Sequence, residues 1–292
     1  MKPLPAENPG RTRTGVTMRA FHENRTYGTA FPFTAFVSRN IDFLAHWHHD
    51  LEIVYVLEGS IRMGINSETR VLTAGDLAVC SSGDIHYYDS KNSESKLLLV
   101  IFNPSLIGFP AGWPLNMRLT SPFVDKTQSD PVEGNPRLPA IMQELLKEHL
   151  EKLPHHEQLV TGLLHELCAL ILRQMPLDIV NPHKDKRRIT NMKIMQEVLE
   201  YLDVHYMHPI TLADAARHAN MSLFYFSRFF KSISGMSYVA YLNSIRVNQA
   251  ERLLLNTDKS ILDIALECGF TNIRTFNRVF KQVKQRTPSE LR

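Results

Sequence analysis

The chain has 292 residues, 43% of them hydrophobic and 22% charged, with a formal net charge of +3. That is enough chain for two domains of an ordinary globular protein, and its longest apolar run, residues 97–102, is far too short to span a bilayer. The charge is unevenly spread: residues 183–292 hold 17 Lys and Arg against 10 Asp and Glu, whereas residues 1–182 hold 16 against 20, so the C-terminal part is the half expected to meet a polyanion.

Residues 1–15 are rich in Pro, Gly, Thr and Arg without an apolar core and read as neither a signal peptide nor an anchor. Three cysteines, Cys80, Cys168 and Cys268, odd in number and far apart, suit a reducing cytoplasm. Between residues 31 and 102 apolar and polar residues alternate in short runs broken by Gly, Asn, Ser and Asp, the pattern of antiparallel strands. Residues 53–57 are the strongest strand, and Gly59 and residues 66–68 mark turns. Two histidines two apart on a strand, His46 and His48, point to one face. With Glu52 and His86 they offer the ligand types that hold iron, manganese or zinc.

Residues 139–153 and 156–173 change to a helical period. Leu138, Ile141, Met142 and Leu145 form one stripe and Leu159, Leu163, Leu167, Leu170 and Ile171 another, which predicts two helices joined at Pro154, with His155 and His156 in the loop. Residues 176–188, with Pro176, Pro182 and the charged run Lys184-Asp185-Lys186-Arg187-Arg188, read as a linker. Residues 189–206 predict a helix that buries Ile194, Val198 and Leu202.

A helical unit then occurs twice, at residues 211–231 and 260–281. Thr211 with Asp214, and Ser260 with Asp263, open a short helix by a hydroxyl cap and a carboxylate three residues on. Asn220 and Gly269 tolerate the left-handed backbone of a tight turn. Met221 or Phe270 follows, then a second cap, Ser222 or Thr271, and a helix ending Phe226-Ser227-Arg228-Phe229-Phe230-Lys231 or Phe276-Asn277-Arg278-Val279-Phe280-Lys281. The offset is 49 residues through the turn and 50 beyond it, so the second copy has one extra residue at the head of its last helix. Spacings of three and four turn Phe226, Phe229, Phe230, Phe276, Val279 and Phe280 inward. They leave Phe224, Ser227, Arg228 and Lys231 outward in the first copy, and Ile273, Arg274, Asn277, Arg278 and Lys281 in the second. Arg chelates guanine and Asn chelates adenine, so such a face suits the DNA major groove. Residues 237–255 form a helix between the copies that carries Tyr241, Leu242, Ile245 and Leu253.

These residues carry two resemblances. Residues 210–292, through Asn220-Met221-Ser222, Gly235-Met236-Ser237, Tyr241-Leu242, Arg246, Gly269-Phe270 and Thr287-Pro288-Ser289-Glu290 besides the runs above, resemble the DNA-binding domain of AraC/XylS-type bacterial transcription regulators. Gln285 stands where that family usually has glycine, at a cost of about 1 kcal/mol if the backbone is left-handed there. The strand region resembles a cupin barrel: His46-x-His48, three residues, Glu52, six residues, Gly59, then Gly75, five residues, Ser81-x-Gly83, two residues, His86. Ser81 replaces the usual proline, Ser90 the usual asparagine and Asn40 the opening glycine.

The cupin resemblance implies His46, His48, Glu52 and His86 as metal ligands. Sensory barrels ahead of AraC-type domains imply instead a small molecule, often a sugar, without metal. Trp47, Tyr87 and Tyr88 then either pack the barrel or stack on a sugar ring. The expectation is an α+β protein with residues 1–175 a cupin-like effector-binding and dimerisation domain, 176–188 a linker and 189–292 two helix-turn-helix motifs. The expected effector site is His46, Trp47, His48, Glu52, His86 and Tyr88. The expected function is a cytoplasmic, homodimeric, sequence-specific transcription activator, not an enzyme, that meets double-stranded DNA and RNA polymerase, with no membrane partner and no required cofactor. The alternative is a metal-dependent cupin enzyme or a metal-sensing regulator using the four ligands.

Overall fold

The computed structural model describes residues 31–108, 112–113, 117–124, 136–181 and 185–292. Residues 1–15 and the centre of the expected linker lie outside these residues. The N-terminal part is a β-barrel of β1 (Phe33–Arg39), β2 (Phe43–His46), β3 (Leu51–Ile65), β4 (Glu68–Thr73), β5 (Leu77–Cys80), β6 (His86–Asp89), β7 (Ser95–Phe102), β8 (Met117–Leu119) and β9 (Phe123–Val124). The long β3 belongs to both walls. Its first part pairs antiparallel with β5 and β7, its second part with β4 and β6. The changeover comes at a bulge between Val56 and Glu58 and at Gly59, whose φ is 73°. A Cβ on Gly59 would stand 2.0 Å from Glu94 O, so only glycine lets the strand turn there.

Alternation along the strands makes two apolar layers. Val54, Val56, Ile61, Met63, Leu97 and Leu99 fill the inside. Ile53, Val79, Leu98 and Val100 face outward, where α1 (Arg137–Glu151) and α2 (His156–Gln174) cover them. Arg137 ties the two helices, its Nε and Nη2 donating to Glu166 at 2.8 and 2.7 Å. The apolar stripe on α2 is therefore internal and not a free face for the dimerisation expected of residues 1–175. Leu163, Leu167 and Ile171 are buried against the barrel and α1, and only Leu159, at 51% exposure, faces out. The outer sheet face needs an apolar cover, and this hairpin supplies it.

The expected linker is also shorter than its composition predicts. Leu177–Ile179 forms β10, paired antiparallel with β8, and α3 (Lys186–His205) begins three residues earlier than expected. β8 offers an open edge, and the extended chain after Pro176 satisfies it. On α3 the buried residues are Met195, Val198, Leu199 and Leu202, with Ile194 only half-buried.

The remainder is helical: α4 (Leu212–His218), α5 (Leu223–Ser234), α6 (Tyr238–Asn256), α7 (Ile261–Glu267), α8 (Ile273–Lys284) and α9 (Pro288–Leu291). The first half of α6 gives Tyr238, Tyr241, Leu242 and Ile245 to the core of α3–α5, and its second half gives Val247, Ala250 and Leu254 to the core of α7–α9. Arg246, between them, donates to Tyr206 O and His208 O at 2.7 and 2.8 Å and so fastens α6 to the end of α3. Among the described residues no helix is long and apolar enough to cross a membrane.

Candidate functional site

Each repeated unit is a pair of capped helices around a left-handed turn. Thr211 Oγ1 accepts from Asp214 N at 3.2 Å, and Thr211 N donates to the Asp214 carboxylate at 2.9 Å. In the second unit Ser260 accepts from Asp263 N at 3.1 Å. The turn residues Asn220 and Gly269 have φ of 51° and 85°. A Cβ on Gly269 would come within 2.7 Å of Met207 O, so that turn has no room for another residue. Ser222 caps α5, but α8 is capped by Asn272, which accepts from Thr275 N at 2.8 Å, and not by Thr271 as expected. Thr271 is the extra residue of the second copy, and it lies before the cap. Asparagine is at least as good an N-cap as a hydroxyl, so the helix starts one residue later.

Phe226, Phe229, Phe230, Phe276, Val279 and Phe280 are buried as the periodicity requires. Phe224, Ser227, Arg228 and Lys231 are exposed on α5, as are Arg274, Asn277, Arg278 and Lys281 on α8, with Ile273 half-buried. The Arg228 guanidinium lies 4.3 Å over the Phe224 ring, which is 70% exposed, so the pair forms one flat cationic plate. Arg228 also lines a cleft of about 880 Å³ between α5 and the barrel, together with Tyr225, Ser232, Glu68 and Arg187.

Inside the barrel, His46 and His86 pair across β2 and β6. With His48 they form a buried group in which one ring nitrogen from each lies within 4.8 Å of the others. Glu52 completes it from β3: its Oε2 is 3.1 Å from His48 Nε2 and 3.7 Å from His86 Nε2, and its Oε1 accepts from Tyr88 OH. Every Nδ1 faces a main-chain carbonyl: His46 to Leu44 O at 2.9 Å, His48 to Asp50 O and His86 to Asp84 O at 3.0 Å. Those bonds anchor each ring by Nδ1 and turn every Nε2 inward, that of His48 toward the Glu52 carboxylate. His86 Nε2, with no exposure, has no hydrogen-bond partner.

Burial, with help from His86 and His48, holds His46 well below the usual imidazole range. Burial also lowers His86, but Glu52 beside it outweighs that and raises it. Burial opposes the charge on Glu52, yet the bond with His48 and the nearness of His86 outweigh it and carry its carboxyl well below the carboxylate range. Three inward imidazole lone pairs and a buried carboxylate are the donor set of a divalent transition metal, and the set fits one.

A family profile described as a cupin domain matches residues 39–102, and one described as a helix-turn-helix domain matches residues 215–292. The chain thus carries an AraC-type helix-turn-helix domain behind a cupin domain. It is 24% identical over 236 residues to an HTH-type transcriptional regulator of Staphylococcus aureus, covering 78% of this chain and 30% of the relative. It is 38% identical over 98 residues to the regulatory protein PocR of Salmonella typhimurium, covering 34% and 32%. It thus spans about a third of the length of the curated relatives it matches. Among solved structures it is similar to ToxT of Vibrio cholerae, with TM-score 0.44 and 14% identity over 89% of this chain and 97% of that one. It is also similar to the DNA-binding domain of AdpA in complex with a target DNA, with TM-score 0.32 and 29% identity over 33% and 86%.

In this AraC-type chain the expected effector residues do not all meet. His46, His48, Glu52, His86 and Tyr88 come together inside the barrel, but Trp47 does not. Strand alternation sends Trp47, with Ala45, Ile85 and Tyr87, to the opposite face, where they join the core of α3, α5 and α6. Neither Trp47 nor Tyr87 stacks inside the barrel; Tyr87 packs on its outer wall, against Gly64 and with its hydroxyl 3.0 Å from Thr69 Oγ1. The sequence reading missed Gln196 and Tyr241, which donate to Gly83 O at 2.8 Å and Ala45 O at 2.6 Å. Among the described residues, a polar Gln196 on the side of α3 that also presents Met192 and Leu199 was the available signal.

Proposed function

We propose that the protein is a sequence-specific DNA-binding transcription regulator, cytoplasmic and homodimeric, that acts as an activator alongside RNA polymerase. In this reading α5 and α8 enter successive stretches of major groove. Phe224, Ser227, Arg228 and Lys231 are the DNA-facing residues of the first helix; Ile273, Arg274, Asn277, Arg278 and Lys281 are those of the second. The supporting observation is the pair of equivalent capped helices, each with a buried apolar stripe and an exposed face of Arg and polar groups. Titrating the full chain against duplex DNA tests it. Phosphate neutralisation releases counterions, so log affinity should fall with log salt at a slope of several units. A slope near zero would overturn the reading.

The barrel is the sensing part, and the inward Nε2 atoms favour a divalent metal ion as its effector. His46, His48, His86 and Glu52 would hold the ion, which supplies the positive charge that lets four electron-rich atoms face one another. A sugar is less well served, because two of the three rings expected to stack on it, Trp47 and Tyr87, face the other domain. Metal analysis of the purified chain tests this: about one equivalent of zinc, iron or manganese in the wild type, lost in His46→Ala, supports it. A metal-free wild type that also takes up none on addition would remove it. The names of the relatives speak for a regulator rather than an enzyme.

A further inference from the structure

The histidine cluster and the surface that docks the helical domain are two faces of the same two strands. At each strand the carbonyl that fixes a histidine is next in the chain to one that accepts from the helical domain. On β2, Leu44 O accepts from His46 Nδ1 and Ala45 O accepts from Tyr241 OH. Before β6, Asp84 O accepts from His86 Nδ1 and Gly83 O accepts from Gln196 Nε2. Between these bonds the outward side chains Trp47, Ile85 and Tyr87 are buried in the core of α3, α5 and α6. Tyr87 fits against Gly235, where a Cβ would come within 2.5 Å of its ring.

The dock is one-sided. Among the described residues, the core of α7, α8 and α9 contains no barrel residue, and the second unit approaches the barrel electrostatically, through Lys284 toward Asp42. Adjacent peptides differ only by the rotations φ and ψ at the α-carbon they share, and where bonds hold those rotations, as Gly83 N to His48 O and Asp84 N to Ser81 O do, the two peptides shift together. A change in how His46 and His86 are held therefore moves the peptides that Tyr241 and Gln196 hold.

We propose that β2 and the segment leading into β6 are a relay that couples the state of the histidine cluster to the first helix-turn-helix unit alone, with Tyr241 and Gln196 as its positioning residues. Effector and helical domain then compete or cooperate through these two strands, and coupling must run both ways. Apart from the Lys284–Asp42 attraction, the second unit senses the barrel through α6.

The test uses the full chain with zinc as probe, and its zinc arm rests on the metal reading above. Zinc affinity, by competition with a chromophoric chelator, is compared between wild type and the Tyr241→Phe, Gln196→Ala double variant, neither residue being in the cluster. Hydrogen exchange is followed by peptide. The expected result is a change in zinc affinity of about fivefold or more, the low end of ordinary coupling, with zinc altering exchange in α5 and the first half of α6 and not in α8. Equal zinc affinity with unchanged exchange in α5 overturns the relay and leaves the metal reading standing. If zinc does not bind, the metal reading fails and the cluster variants decide: His86→Gln, or Glu52→Gln if the first loses its near-UV signal, should speed exchange in α5 and early α6 relative to α8. Unchanged exchange there, or an equal rise in α8, overturns the relay.

Discussion

Gln285 holds the place in the second unit that Gly235 holds in the first. Both are C-caps of twelve-residue helices, with φ of 57° and 76°, and both donate their amide to a lysine carbonyl four residues back, Lys281 O at 2.9 Å and Lys231 O at 3.0 Å. Both helices thus end by the same left-handed device. A side chain at that position carries a steric cost that glycine does not.

Gln285→Gly should accordingly stabilise the chain by about 1 kcal/mol, the usual difference between glycine and a residue with a Cβ at such a cap. Chemical denaturation of the two proteins measures it. A loss of stability would mean that the bond from Gln285 Nε2 to Gln282 O, 3.1 Å long, outweighs the backbone cost.

Leu163 is 6% exposed beneath α1 and the barrel, so Leu163→Glu should unfold the N-terminal part and not split a dimer. The loss should reach about 3 kcal/mol or more, because the charge is buried without a partner. Leu159→Glu, at an exposed site, should leave the melting temperature nearly unchanged. Thermal unfolding together with sedimentation separates the cases: a Leu163→Glu chain that melts normally but sediments more slowly would return the stripe to an intermolecular role.

Arg274 has the reach of a bidentate base contact, whereas Lys281 stands at the far end of the same helix as a point charge. Arg274→Ala should lower discrimination at its half-site by about 1 to 3 kcal/mol, and Lys281→Ala should weaken binding to all sequences alike. Titrations against a selected duplex and its single-base variants check this. Equal, uniform losses from both substitutions would assign Arg274 to a phosphate.

Two helix starts carry an acid-sensitive bond. Hydrogen bonds from Thr211 hold the Asp214 carboxyl below its ordinary 3.8, and those from Thr287 hold Glu290 below its ordinary 4.5. A depressed folded pKa gives stability that is complete above the unfolded value and is lost as pH falls through the folded one. The helical domain should therefore lose this stabilisation only below about pH 4.5, and Asp214→Asn should flatten the slope of stability below about pH 4. Denaturation at a series of pH values measures the slope; an unchanged slope in Asp214→Asn would show that the bond contributes nothing.

The helical domain was largely legible because each choice there is local. Phe226, Phe229 and Phe230 declare a buried face by spacing alone, and Asn220, Gly269 and Gln285 sit at positive φ as their places in the motif require. The cap at Asn272 was missed because Thr271 and Asn272 are both good caps, and their neighbours do not separate them. In the barrel, period two put His46 and His48 on one face, and the cupin resemblance added Glu52 and His86. The same period says that Trp47 and Tyr87 face the other way, but not what covers them, since that depends on contacts nearly two hundred residues distant, such as Ala45 with Tyr241. β10 was hidden for a similar reason: a three-residue strand has too little pattern of its own, and the edge of β8 calls it into being.

The sharing of α6 between two cores sets a ruler for the DNA. Nineteen residues of helix measure about 28 Å, comparable with the roughly 34–36 Å repeat of the duplex. A stiff spacer of that length presents α5 and α8 to one side of the double helix, in neighbouring turns of its groove. Sites for the two units should therefore lie in phase, about ten base pairs apart, and an insertion of about five base pairs between them carries one site round to the far side, where this chain has nothing to meet it.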